Sequence, residues 1–332
     1  MKRCKYIPAL LALLLLLSAC GGPFGLADPR VQNEASRLAA AQLGKLDPYV
    51  TGEERRQVTQ LLERMLSLRQ VREDAGIWTV SDGEEQLAVQ LNQLYEDFTR
   101  RSLGEPESWS ADEEKMELLA EYDVKGGGLE FSEGEDSYRN LWEQVKAMLP
   151  QGSLDAFDRF TVFTDGEEEI LAYVVPTDDE GSRWELAVDP KDAGDETYFA
   201  ETVFHEYCHY LTLNDQQVAY ETAPSQGRYT EEGMITRPGS YLNAFYQEFW
   251  TDYLSDRLAD PESTGFYLRH SDDFLTGYAA TSPSEDIAES FAFFIMGDKA
   301  EGESIQARKQ NFFYAYPELV TFRDQARAKL GL

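Results

Sequence analysis

The stretch VFHEYCHYL, residues 203–211, constrains the fold of this chain more than any other part of the sequence. It places His205 and His209 four residues apart, with Glu206 directly after the first histidine. Residues four apart on an α-helix project from the same face, so a helix here would bring the two imidazoles together on one metal ion. Apolar residues recur around the histidines with a helical period from Asp195 to about Asn214. We therefore expect a helix that carries two metal ligands with a carboxylate beside them.

Zinc is the metal that this HExxH pattern indicates. In such a motif the two histidines bind the ion, and the glutamate acts as general base on a water molecule. A catalytic zinc normally has three protein ligands and leaves its fourth position to water. We expect one catalytic Zn²⁺ held by His205 and His209, with Glu206 as the base, and a third ligand from elsewhere in the chain.

Two residues are weak candidates for that third ligand. Cys208 lies inside the motif, but its short side chain points toward the apolar flank of the helix, so we expect a buried free cysteine. His270, the only other histidine, has no partner motif and is expected at the surface or behind a ligand. Besides Cys208 the chain has only Cys4 and Cys20, both near the N-terminus, so no disulfide framework is available.

Two downstream segments offer better candidates, because each carries two acidic residues four positions apart. They are Glu248 with Asp252, and Glu285 with Glu289. Glu285 also stands three residues after Ser282, so it could simply be the last residue of a helix-capping box. Two carboxylates on a largely apolar helix face need a buried partner, however, and a zinc–histidine cluster provides one. We favour Glu285 as the third ligand, with Glu248 as the alternative.

The two motifs together resemble those of the gluzincin zinc metallopeptidases. The second is most similar to the catalytic domains of anthrax lethal factor and Pro-Pro endopeptidase, in which a tyrosine precedes an E-x-x-A-E helix by seven residues. The matching residues here are Tyr278, Glu285, Ala288 and Glu289. The resemblance covers roughly residues 155–300, and Glu285 follows His209 by 76 positions, which exceeds the spacing expected for that group.

This resemblance implies a zincin-like catalytic domain that hydrolyses peptide bonds. It gives Glu285 the role of third zinc ligand and Glu289 that of orienting a ligand histidine. It also implies that Tyr278 donates its phenol to the oxyanion. The run SRWELAVDP, residues 182–190, resembles the edge strand along which gluzincins bind an extended peptide.

The pattern of the chain before and after residue 150 predicts its organisation. Residues 31–150 contain several S/T-x-x-E capping boxes ahead of apolar helical stripes, which predicts a helical subdomain. From Phe157, three β-rich runs separated by turns predict an antiparallel meander. We expect an α+β fold, mostly helical, with a small antiparallel sheet and the active-site helix in a catalytic domain at 151–332. The predicted capping boxes are Thr51/Glu54, Ser81/Glu84, Ser110/Glu113 and Ser132/Glu135.

The N-terminus has the features of a lipoprotein signal peptide. Three basic residues precede an apolar run from Ile7 to Leu17 that is too short for an ordinary membrane-spanning helix. The sequence LSAC that follows resembles the lipobox of bacterial lipoproteins, in which cleavage leaves the cysteine as a lipidated N-terminus. We therefore expect a signal peptide at 1–19, lipid on Cys20, a tether at 20–30 and an extracytoplasmic, membrane-anchored protein. An ordinary secretory signal is the alternative.

Composition limits the partners of such a protein. The formal net charge of −31 would repel nucleic-acid phosphates, so we expect no nucleic-acid partner. The expected function is a membrane-anchored zinc metallopeptidase acting on a peptide or protein substrate. The alternative is a lipoprotein binding module with a structural or inactive zinc site, but a structural site has no need of Glu206 beside a water.

Overall fold

A computed structural model of the chain describes residues 28–77, 80–104, 116–166, 170–220, 227–231, 233–259 and 264–332. The predicted signal peptide, Cys20 and the capping box Ser110/Glu113 lie outside these residues. The fold is α+β and mostly helical, as predicted, with a five-stranded sheet and a small three-stranded one. Among the described helices, none is both long and apolar enough to cross a membrane.

The first part of the chain forms a three-helix bundle with a hydrophobic core of its own. The predicted capping boxes at Thr51 and Ser81 are both present, and each begins a helix. The bundle helices are α1 (Pro29–Leu43), α2 (Gly52–Asp74) and α3 (Asp82–Ser102).

The prediction that residues 31–150 are helical is wrong for 117–134. This segment forms a β-hairpin of β1 (Glu117–Lys125) and β2 (Gly128–Gly134). Gly126 and Gly127 supply the positive φ angles, 60° and 77°, that a tight hairpin turn requires. Ser132 therefore lies in a strand, and the capping box predicted there does not exist. Helix α4 (Arg139–Met148) packs into the same core as the sheet rather than into the bundle core.

The predicted antiparallel meander is also wrong in its topology. Its three strands exist, as β3 (Phe157–Thr164), β4 (Ala172–Pro176) and β5 (Trp184–Val188), but β3 pairs with β5 in parallel. The strand order is β2-β1-β3-β5-β4, so β5 is an interior strand and β4 is the edge. The run 182–190 is therefore not the edge strand, and its continuous burial is typical of a strand that is covered on both faces.

The remaining elements surround the predicted motif helix. Helix α5 carries HExxH and packs against β4, while α9 crosses α5 and contributes much of the core. They are α5 (Glu196–Leu213), β6 (Val218–Ala219), β7 (Thr230–Glu231), β8 (Met234–Thr236), α6 (Tyr241–Phe249), α7 (Leu254–Ala259), α8 (Thr264–His270), α9 (Pro283–Met296), α10 (Ile305–Asn311) and α11 (Pro317–Leu330).

Candidate metal centre

Helix α5 forms where the sequence predicted it. Asp195 caps its N-terminus by accepting hydrogen bonds from the backbone N–H groups of Thr197 and Tyr198, at 2.9 and 3.1 Å. The helix ends at Leu213, and its apolar residues are buried in the main core. His205 and Glu206 are both buried as well, with 7% and 9% of their surface exposed. Helix α5 therefore presents two polar side chains to a largely desolvated site.

Helix α9 brings Glu285 to the same place. The Ser282 hydroxyl accepts a hydrogen bond from the Glu285 backbone N–H at 3.2 Å, which is half of a capping box. The Glu285 carboxylate does not complete that box, because it turns to the two histidines instead. Ala288 and Ala292, on the following turns, are buried and let α9 approach α5 closely. A purely capping role for Glu285 therefore does not fit the structure.

Three potential ligand atoms meet between the two helices. His205 Nε2 lies 3.0 Å from Glu285 Oε2 and 3.1 Å from His209 Nε2. His209 Nε2 lies 3.2 Å from the same Glu285 oxygen. Among the described residues, these three form the one group with the composition and spacing of a metal site. The atoms mark the corners of a nearly equilateral triangle.

The orientation of His205 is fixed from its other side. Its Nδ1 lies 2.9 Å from Glu289 Oε1, one turn after Glu285, and donates a hydrogen bond to that carboxylate. The Thr276 hydroxyl donates to the second oxygen of Glu289 at 2.7 Å, so both carboxylate oxygens are held. Thr276 was not found from the sequence, since only its position two residues before Tyr278 hints at a role.

The electrostatics of the triangle favour a cation at its centre. With Nδ1 protonated toward Glu289, the Nε2 lone pair of a neutral His205 would face the Glu285 carboxylate, and two acceptors would repel each other. Burial alone would lower the pKa of His205, but its hydrogen bonds to Glu285 and Glu289 raise that pKa to about 10. The pKa of Glu285 is held well below its usual range by the two histidines, against the effect of its burial. The arrangement therefore favours positive charge between the three groups, which either a proton or a metal ion would supply.

Glu206 and Tyr278 flank the triangle. Burial raises the pKa of Glu206, although the two nearby histidines oppose the shift, and the backbone N–H of Val174 in β4 donates toward its carboxylate. The Tyr278 ring lies 5.7 Å from the His205 ring, centre to centre, with 57% of the residue exposed. Loss of hydration at its hydroxyl and the charge of Glu285 raise the Tyr278 pKa.

Buried charges hold the start of α9 in place. Asp286, next to Glu285, lies 2.6 Å from Lys309 Nζ, and neither side chain is exposed. The Trp250 indole N–H donates to the same Asp286 oxygen at 2.8 Å. A buried ion pair tolerates little displacement because a lone buried charge is costly, so this contact limits rotation of α9 beside Glu285. No sequence pattern predicts this pair, apart from the position of Asp286 next to Glu285.

The other end of α9 is held by two arginines of α11. Arg323 Nε donates to the Phe294 carbonyl at 2.6 Å, and Arg327 Nη1 donates to the Met296 carbonyl at 3.0 Å. These cations satisfy carbonyls that the last helical turn leaves unpaired. Helix α9 is thus fixed at both ends, with Glu285 and Glu289 on its first two turns.

The alternative carboxylate pair lies elsewhere. Glu248 forms an ion pair with Arg308 at 2.8 Å, in which both side chains are substantially exposed. Asp252 accepts a hydrogen bond from Arg37 of the bundle at 2.7 Å. Neither belongs to the group of potential ligands around His205. The structure therefore does not support Glu248 as a metal ligand, because this pair faces cations on other helices.

The remaining two candidates are both buried. Cys208 is a free buried cysteine, as predicted, and its thiol donates to the Ile287 carbonyl at 3.6 Å. The expectation that His270 lies at the surface or behind a metal ligand is wrong. Its Nε2 lies 3.2 Å from Asp256, which also pairs with Arg269 at 2.7 Å, and all three side chains are almost fully buried. His270 belongs to a separate ionic cluster, which contacts helix α3 of the bundle through Arg269 and Thr99.

No protein-family model, curated protein or solved structure matches this chain. The resemblance to gluzincins therefore depends on the two sequence motifs.

Proposed function

We propose that this protein is a membrane-anchored, extracytoplasmic zinc metallopeptidase of the gluzincin type. The observation that carries the proposal is the triangle of His205 Nε2, His209 Nε2 and Glu285 Oε2, with sides of 3.0–3.2 Å, beside the buried carboxylate of Glu206. Ligand atoms around a tetrahedral zinc with bonds of about 2.0–2.1 Å lie about 3.3 Å apart. The residues present fit the ion with an outward movement of a few tenths of an ångström.

Glu206 supplies the proton transfers that peptide hydrolysis needs. Zinc, when bound, lowers the pKa of a bound water and polarises a carbonyl group. The Glu206 carboxylate accepts the proton of the attacking water and passes it to the leaving amine nitrogen. Burial raises the pKa of Glu206, which moves the group toward the range in which it can both accept and return a proton near neutral pH.

Tyr278 is the residue that we propose stabilises negative charge on the substrate. Its ring lies 5.7 Å from the His205 ring, and its raised pKa keeps the hydroxyl protonated at neutral pH. A protonated phenol can donate a hydrogen bond to the oxyanion that develops on the scissile carbonyl. We assign Tyr278 this role, which also follows from the resemblance.

The edge strand β4 offers a binding surface for the peptide backbone. One side of β4 pairs with β5, and its other side has no strand partner among the described residues. Val174 in this strand contacts Glu206, so the free edge passes the candidate centre. An extended peptide can add to such an edge through main-chain hydrogen bonds. We therefore propose that residues 172–176, rather than 182–190, form the edge strand that binds an extended peptide.

Cleavage of a diverse peptide library tests this function. The zinc-loaded protein is expected to cleave internal peptide bonds, to lose that activity with a chelator, and to regain it when zinc is restored. Absence of cleavage by the zinc-loaded protein would overturn the proposal, and so would cleavage that is insensitive to the chelator.

Zinc binding is expected to release about one proton per site near neutral pH. The pKa of His205 is raised to about 10 in the zinc-free protein, so its imidazole carries two protons at lower pH and must lose one to bind a metal. Zinc affinity should therefore rise by about tenfold per pH unit from about pH 7 to pH 9, as expected for competition between a proton and the metal. A chelator-competition titration across this range measures the slope. An affinity independent of pH would show that His205 is neutral before zinc binds.

Cys20→Ser is expected to release the protein from the membrane fraction or to block its processing. The motivation is the LSAC sequence, because lipid on the cysteine is the proposed anchor. Fractionation of cells and mass spectrometry of the N-terminus measure both outcomes. A processed variant that fractionates like the parent would contradict lipid anchoring and leave the peptidase proposal standing.

A further inference from the structure

Exposed aliphatic side chains concentrate at one end of the helical bundle. Eight Leu, Ile and Val side chains are exposed in the described part of the chain, and five of them lie between residues 68 and 89. We call this group the bundle tip. Its members are Leu68, Val71, Ile77, Val80 and Val89, with 41%, 70%, 51%, 58% and 56% of their surface exposed. Single exposed apolar residues are common, but a cluster of this kind indicates a binding surface.

The topology of the bundle brings its N-terminus to the same end. The ion pairs Glu54–Arg101 and Arg72–Glu84, both at 2.8 Å, join opposite ends of α2 and α3 and show that these helices are antiparallel. Helices α1 and α2 are joined by a short connection and pack against each other, which makes them antiparallel neighbours as well. Helix α1, with 15 residues, is about 22 Å long and α2, with 23 residues, is about 34 Å long, so antiparallel packing brings Pro29 about level with Ser67, two turns before the end of α2.

A short segment connects the start of α1 to the proposed lipid anchor at Cys20. Eight residues separate Cys20 from Pro29. They span at most about 30 Å when fully extended. Lipid on Cys20 would therefore keep Pro29 within about 30 Å of a bilayer.

The end of α1 and the residues just after it contact the catalytic part. Gln42 donates to the Asp252 carbonyl at 3.1 Å, and Lys45 donates to the Ser271 hydroxyl at 2.7 Å. Both lie near the end of α1 that is remote from Pro29. The five apolar side chains of the tip remain exposed, while Gln42 and Lys45 are docked. Arg69, beside Leu68, lies within electrostatic reach of Tyr246 of the catalytic part.

The net charge of the tip region determines whether it is attracted to a bilayer by charge or only by apolar contact. Residues 62–89 contain three basic and six acidic side chains. An anionic bilayer would repel this surface, so only apolar contact with lipid can attract it. A contact too weak to hold a free protein is sufficient once a lipid anchor raises the local concentration.

We propose that the bundle tip contacts the surface of the lipid bilayer in which the N-terminus is anchored. This inference rests on the lipid anchor of the proposed function. Contact at the tip, together with docking at the opposite end of the bundle, sets the orientation of the metal centre relative to the membrane. The anchor alone would leave that orientation free.

Hydrogen exchange on vesicles tests the contact. The chain from Cys20 onward is coupled through the Cys20 thiol to a maleimide lipid in phosphatidylcholine vesicles; Cys208 is buried and does not compete. Backbone amides between Leu68 and Ile77 are expected to exchange about tenfold or more slowly on vesicles than in solution. Amides around Tyr49, exposed at the opposite end of the bundle, should not change.

Two variants make the test specific. The triple variant Val71→Glu, Ile77→Glu, Val80→Glu should lose the protection, whereas Tyr49→Glu should keep it, with zinc content unchanged in both. No slowing in the parent, or equal slowing in the triple variant, would overturn the proposal. Protection in solution that grows with protein concentration would also overturn it, because a second copy would then cover the tip. The anchor is chemical here, so failure of natural lipidation at Cys20 is detected separately by fractionation.

Discussion

Glu285→Gln is expected to lower zinc affinity by more than about 100-fold, the largest effect of any carboxylate substitution outside the HExxH motif. Its oxygen lies within 3.2 Å of both histidine nitrogens, so it supplies the third corner of the proposed zinc site. Glu289→Gln should cost about 10- to 100-fold, because it removes the hydrogen bond that orients His205 without removing a ligand. Chelator-competition titration measures the zinc affinities of the parent and of both variants.

Glu248→Gln is the matched control for this comparison. It makes the same chemical change in the rival carboxylate pair, where the side chain contacts Arg308 on the surface. Its zinc affinity should equal that of the parent. If Glu285 were only a capping residue, its replacement would cost about 1 kcal/mol of stability and leave zinc bound. Loss of zinc from Glu248→Gln with retention in Glu285→Gln would reverse the assignment.

Glu206→Gln is expected to lower peptidase activity by about two to four orders of magnitude while zinc remains bound near one per chain. Glutamine has the same shape as glutamate and fits the buried position, but it cannot accept the proton of the attacking water. Initial rates on a cleaved library peptide, together with zinc content, measure the two effects separately.

Glu196→Gln is a suitable control for Glu206→Gln. It removes an exposed carboxylate from the first turn of the same helix and should leave the rate nearly unchanged. A Glu206→Gln protein as active as this control would contradict the assignment of Glu206 as the base.

The helices of the candidate centre could be predicted because their signals are local. Asp195 and Ser282 cap α5 and α9, and helical periodicity of apolar residues continues from each cap. The spacing within HExxH and within the Glu285–Glu289 pair then determines which side chains share a face. These features need no knowledge of the rest of the fold.

The sheet was predicted less well because strand order is not local. The helical prediction for residues 117–134 is wrong, although the alternation of Ala120, Tyr122 and Val124, all buried, before a glycine turn is a hairpin signal. The parallel pairing of β3 with β5 depends on which strands meet in space, and the meander assumed that sequential strands are neighbours. Because the strand order was predicted wrongly, β5 was also predicted as the edge strand of the sheet, whereas β4 is the edge strand.

The contacts that support the centre come from distant parts of the chain. Thr276 reaches Glu289 from the loop before α9, and Lys309 reaches Asp286 from α10. Such pairs have no sequence signature, because each residue type is common and the partner is set by packing.

The long spacing between His209 and Glu285 has a structural explanation. The intervening residues include α6, α7 and α8, and the last two carry the ionic cluster of Asp256 and Arg269. Arg269 donates to Thr99 of α3 at 3.2 Å, which joins these helices to the bundle. Helices α7 and α8 thus form a surface against which the bundle packs.

The proposed zinc centre can be tested by the position of zinc in crystals of the zinc-loaded protein, located by anomalous scattering at the zinc absorption edge. We expect one ion about 2.0–2.2 Å from His205 Nε2, His209 Nε2 and a Glu285 oxygen, with the fourth position open to water or substrate. An ion held by Glu248 would contradict the ligand assignment. A fourth protein side chain closing the site, or no ion between α5 and α9, would contradict a catalytic zinc centre.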